Sequence, residues 1–89
     1  MNRVYGDPVE VWPGPDGQPA RFVWRDRLFV VRRVMRHWVS TRDWRGDELS
    51  DGVEREFWQV EASPGREIGV YELRLAPESG TWQLSRSWS

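Results

Sequence analysis

Few residues in this chain carry catalytic chemistry. His37 is the one histidine, and cysteine is absent. Ser40 and Asp43 follow it closely enough to suggest a nucleophile, a base and an orienting acid. Nucleophilic catalysis needs those three groups to converge on one point. In an extended strand His37 and Ser40 face opposite sides, and no motif frames them. No catalytic residue is assigned, and a non-enzymatic role is expected. Asp47, Glu48 and Asp51, set between Gly46 and Gly52, lack the spacing of a Ca²⁺ loop, and one histidine cannot build a zinc site. The glycine-containing loops hold neither GxGxxG nor a P-loop lysine. No metal, cofactor or small-molecule substrate is therefore expected.

Arginine is the remaining chemistry. All thirteen basic residues are Arg. Residues 20–45 hold eight of them against two acids, Asp26 and Asp43, while the rest of the chain holds five Arg and twelve acids. The net charge of −1 gives no global attraction to a polyanion, so the local concentration is what matters.

The element that positions these arginines is a hairpin over residues 20–39. Two extended runs are symmetric about Arg25-Asp26, which suits a two-residue turn, since Asp tolerates positive φ. The symmetry pairs Trp24 with Arg27, Val23 with Leu28, Phe22 with Phe29 and Arg21 with Val30. Directly opposed residues share a face. One face then carries Ala20, Phe22, Trp24, Arg27, Phe29, Val31, Arg33 and Met35, and its aromatic bulk marks it as core. The other carries Arg21, Val23, Arg25, Leu28, Val30, Arg32, Val34 and Arg36. A bulge in the long strand would change the assignment beyond it. The plainest role for the second face is arginine stems covering apolar surface with their heads in water. The functional role is recognition of a partner. Arg21, Arg25, Arg32 and Arg36 are the expected charge contacts, and Trp44, alone in a polar segment, is the expected aromatic anchor.

The rest of the chain reads as β structure. Its 89 residues are expected to form a single domain. Residues 1–8 read as a flexible arm or edge strand, Val9–Trp12 as a short strand, 13–19 as a loop dense in Pro and Gly, and 40–53 as a polar loop. Residues 54–88 read as a three-stranded meander. In it Trp58, Val60 and Ala62 point inward, as do Tyr71, Leu73 and Leu75, and then Trp82 and Leu84. Phe57, Gln59, Glu61, Val70, Glu72 and Arg74 point outward. Pro77–Gly80 is a turn with Gly80 suited to positive φ. Five to six antiparallel strands in a chain this short imply an all-β fold, a curled sheet or a small barrel. No apolar signal segment or membrane-length run is seen, so the cytoplasm is the expected location.

The pieces Pro19–Val31, His37-Trp38, Arg42-Asp43-Trp44, Glu56–Val60, Val70–Leu73 and Gly80–Leu84 carry a resemblance. With them the chain resembles a small actinobacterial family of domains of unknown function. Over residues 19–88 it is also similar to the C-terminal tail of the catalytically inactive, Y-family-polymerase-like subunit of the bacterial mutagenic repair complex. Arg45 stands where that pattern has a second tryptophan. The resemblance implies association with DNA repair or translesion synthesis and no polymerase activity. The expected function is a protein–protein interaction module in that setting. The alternative is single-stranded nucleic-acid binding through the arginine face, with guanidiniums tracking phosphates.

Overall fold

The computed structural model describes residues 2–40 and 54–88. These form six strands in chain order: β1 (Asn2–Pro13), β2 (Pro19–Trp24), β3 (Arg27–Ser40), β4 (Arg55–Ser63), β5 (Gly69–Ala76) and β6 (Thr81–Trp88). Each pairs antiparallel with the next, and β1 pairs with β6, which closes the sheet into a barrel. Of the two readings of residues 1–8, a flexible arm or an edge strand, the structure shows a strand, paired with β6. Asn2–Val9 lies against Trp82–Trp88. Without that pairing both partners would be open edges with unsatisfied backbone groups.

The β2–β3 hairpin has the register that its symmetry predicts, with Arg21 opposite Val30, Phe22 opposite Phe29, Val23 opposite Leu28 and Trp24 opposite Arg27. Arg25 and Asp26 both have positive φ, at 54° and 63°. Two such residues make a type I′ turn, whose twist matches the strands it joins. An L-residue held there is strained by roughly 1 kcal/mol, less for Asp than for most. Asp26→Gly is therefore expected to stabilise the fold by about 0.5–1 kcal/mol, a rise in Tm of roughly 2–8 °C for a domain of this size. A thermal melt followed by near-UV circular dichroism checks this. Gly80, at φ 68°, closes the β5–β6 turn as expected, with its N–H donating to the Ala76 carbonyl at 2.8 Å.

The long strand β3 departs from simple alternation. Its ladder with β4 shifts register between Val31 and Arg33 and again between Val34 and Arg36. Each shift is a bulge, and bulges add the local twist that a strand needs to wrap a narrow barrel. Past the first bulge the two faces exchange. Val34, expected among the arginines, pairs with Val60 and packs against the core. Arg33, expected inside, is exposed and pairs with the Glu61 carboxylate at 3.2 Å. Met35, also expected inside, is 40% exposed at the second bulge. The second shift returns Arg36 to the outer side, opposite Gln59.

The core is the barrel interior. Phe22, Phe29, Trp58, Val60, Ala62, Leu73 and Leu84 are buried there, with Tyr5, Val9, Val11, Trp24, Val31, Val34, Tyr71, Leu75 and Trp82 packed around them. The inward residues expected of the meander are all in this set. Its outer side is less wet than expected. Phe57 is buried under a parallel stack with Trp38, centroids 5.3 Å apart. Glu72 is only 7% exposed. A bulge places both Ser85 and Arg86 against it: the ladder steps from Glu72–Arg86 to Leu73–Leu84. The Ser85 hydroxyl donates to Glu72 Oε2 at 2.6 Å, and Arg86 Nε lies 3.9 Å from the same oxygen. A carboxylate on a barrel wall is retained when donors meet its lone pairs.

Candidate functional site

The barrel separates the arginines that the hairpin pattern groups together. Arg25 leaves the outer face at the turn. Its guanidinium lies over the rings of Trp24 and Tyr5, 4.6 and 5.1 Å from their centroids, and 3.4 Å from the Asp7 carboxylate. Its charge is thus matched within the fold, while 61% of its side chain stays exposed. Arg36 lies over the Trp38 ring at 5.2 Å, on the β4 side of β3. Arg32 lies beside the 14–18 turn, lining a shallow recess of about 250 Å³ with Asp16 and Gln18. Arg21 stays in the middle of the outer face. Among the described residues Arg21, Arg32 and Arg36 are exposed and make no ion pair. Trp44 lies outside the described residues.

What the sequence pattern missed is Trp12. Strand β1 sits beside β2 with Trp12 opposite Arg21 and Glu10 opposite Val23. Combined with the hairpin register, this sets Trp12, Arg21 and Val30 in one row across three strands, with Glu10, Val23 and Leu28 in the next. Trp12 is 41% exposed, Val30 45% and Leu28 48%. A single guanidinium flanked by an exposed indole and an exposed aliphatic is the composition of interface hot spots. The signal in the sequence was the alternation of Val9-Glu10-Val11-Trp12, which puts Trp12 on the side opposite Val9 and Val11. The pairing of β1 with β2 is what brings it to Arg21.

A second feature lies at the end of the barrel that carries the β2–β3 turn. Between that turn and the β4–β5 connection is a cleft of about 940 Å³ lined by Trp24, Phe29 and Tyr71, with Arg27, Arg66 and Glu67 around them. The three rings meet at angles, with centroids 5.3–6.2 Å apart. Trp24 is held by its indole N–H, which donates to Asp7 Oδ2 at 2.9 Å. Tyr71 lies over Gly69, where a Cβ would stand 2.7 Å from the Tyr71 oxygen. Only a residue without a side chain lets that ring lie back along its own strand.

Residues 1–89 match the family described as a domain of unknown function (DUF6504). The chain belongs to that family. No curated protein and no solved structure matches it.

The opposite end of the DUF6504 barrel holds His37. Its ring stacks on Trp58 at 4.3 Å, and Trp58 in turn meets Trp82 at 5.0 Å. His37 Nε2 lies 3.2 Å from Glu56 Oε1. The buried Trp58 Nε1 has no acceptor among the described residues. Among those residues no three His, Cys, Asp or Glu side chains gather into a metal-holding group. His37 thus sits in a stack and a carboxylate contact.

Burial at the cleft pushes the Tyr71 phenol above the ordinary tyrosine range; Arg27 pulls the other way, and Glu67 and Tyr5 add to the rise. The folded state therefore holds this proton more tightly than the unfolded chain. The resulting stability is fully present below the ordinary tyrosine pKa of about 10. It is lost as pH rises from there through the folded value. Urea midpoints of the DUF6504 chain are expected to fall as pH rises above about 10 more steeply than those of Tyr71→Phe, which lacks the titrating group.

Proposed function

We propose that this DUF6504 domain is a non-enzymatic binding module whose partner is a protein with an acidic docking surface. The observation that carries this reading is the row of Trp12, Arg21 and Val30 beside Glu10, Val23 and Leu28 on the outer face of β1, β2 and β3. Arg21 there makes no ion pair among the described residues, and Arg32 extends the positive charge along β3. A partner carboxylate between an indole and aliphatic neighbours gains charge complementarity and displaces water from apolar surface together. Single-stranded nucleic acid is the less favoured occupant of this face. Non-specific strand binding relies on successive exposed rings on which bases stack. Here Trp12 is the one ring in the row, and Phe22, Trp24 and Phe29 are turned into the barrel. What supports a setting in DNA repair or translesion synthesis is the similarity of residues 19–88 to the tail of the inactive polymerase-like repair subunit.

The test is calorimetric titration of the purified chain with purified translesion and replicative polymerase subunits. Saturable binding that weakens with salt is the expected result. If every such subunit is silent, the setting is wrong. A labelled single-stranded oligonucleotide at low and moderate salt is the parallel arm; tight, salt-sensitive binding lost in Arg21→Glu would replace the protein reading with the nucleic-acid one.

A further inference from the structure

The cleft at the β2–β3 end is a site of a different kind from the outer face. We propose that it binds a planar ring with an anionic group, a ligand with the size and chemistry of a single nucleotide. The proposal does not rest on the outer-face reading.

Three features carry it. The first is shape: a concave opening of about 940 Å³ lies within the range of small-ligand pockets, which are mostly apolar with a few convergent polar groups. The second is the wall. Trp24 and Tyr71, both partly buried, stand at the wall at an angle to one another, with the buried Phe29 packed behind them, so an inserted flat ring can meet an aromatic surface. Trp24 is fixed by its hydrogen bond to Asp7, and Tyr71 lies over Gly69 in space that a side chain there would fill. A preset wall loses little freedom on binding.

The third feature is charge. Arg27 and Arg66 line the cleft, and neither makes an ion pair or hydrogen bond among the described residues. Arg25, next to them, is already matched by Asp7. Two unmatched guanidiniums beside an aromatic wall suit a phosphate or carboxylate attached to a ring. Glu67 adds one acceptor in the same cleft. A bare aromatic acid has no use for it, whereas a nucleobase with N–H donors along its edge does. The shared chemistry fits either a free nucleotide or the terminal nucleotide of a single strand.

Nuclear magnetic resonance of the ¹⁵N-labelled chain tests this. The probes are guanosine 5′-monophosphate, guanosine and inorganic phosphate, each titrated separately. The monophosphate is expected to shift the Trp24 indole N–H and the Gly69 amide with saturation at about 1 mM or below, and guanosine and phosphate to bind about tenfold more weakly or worse. Arg27→Ala and Arg66→Ala, both at exposed positions, are each expected to weaken the monophosphate about tenfold, the loss of one charge-assisted contact. Gly69→Ala, which displaces the Tyr71 ring, is expected to weaken it as well. Arg21→Glu, remote on the outer face, is expected to leave it unchanged. A 5′-phosphorylated oligonucleotide that binds at the same resonances as tightly as the monophosphate identifies a strand end as the ligand, and weaker binding identifies the free nucleotide. No saturable shift with the monophosphate, shifts confined to the outer face, or undiminished binding by the Arg27→Ala/Arg66→Ala double variant would overturn the proposal.

Discussion

Phe22→Ala is expected to cost about 3–5 kcal/mol of folding stability, the upper range for a large-to-small core change. Phe22 is fully buried on the short strand β2, opposite Val11 on β1 and Phe29 on β3. Its ring stacks parallel on Phe29 at 4.9 Å and meets Tyr71 edge-on at 5.9 Å. The ring thus ties β1, β2 and β3 to β5 across the interior. A domain of this size buries only about 60–65% of its unfolded surface and has a total stability of roughly 5–15 kcal/mol. A closed barrel also collapses poorly into a cavity, because each wall is held by hydrogen bonds to both neighbours. Most of the cavity cost is then retained. Urea denaturation of the wild type and variant checks this. A loss below about 1.5 kcal/mol would mean that the interior repacks freely, as it does in a loosely curled sheet.

The second large effect concerns recognition. Trp12→Ala and Arg21→Glu are each expected to weaken partner binding by about 2 kcal/mol or more, roughly thirtyfold. Both side chains stand on the outer face, so their replacement is expected to change folding stability by no more than about 0.5–1 kcal/mol. Arg36→Glu is the informative control. Arg36 lies over Trp38 on the β4 side of β3, away from the Trp12–Arg21–Val30 row. It is expected to alter affinity by less than about threefold, chiefly through long-range charge. Equal losses from Arg21→Glu and Arg36→Glu, measured by the same titration, would restore the broader arginine face and remove the special role of Trp12.

The rise of Tyr71 and the open cleft belong to one end of the barrel, and the outer row belongs to its flank. The hairpin contributes to both places: Arg21, Val23, Leu28 and Val30 face out, while Trp24, Arg27 and Phe29 line the mouth.

Local chemistry was legible from residue types alone. Alternation of period two and β-branched runs named the strands, and the symmetry about Arg25-Asp26 gave the true register because a two-residue turn leaves no other. The inward sets on β4, β5 and β6 followed from the same alternation. The choice between the two expected forms, curled sheet or barrel, did not follow, since the pairing of Asn2–Val9 with Trp82–Trp88 joins opposite ends of the chain and has no local signature. Nor did the two bulges in β3, which exist to bend that strand around the barrel and which exchange Arg33 and Val34 between faces. The contacts of Arg25 with Asp7, Tyr5 and Trp24 were not legible either, because they depend on β1 passing the turn. Sequence by itself determined which residues extend and where they turn, because those are short-range steric choices. Tertiary structure alone decided which arginines remain available and that Trp12 stands beside one of them, because strand pairing and curvature are settled only when distant segments meet.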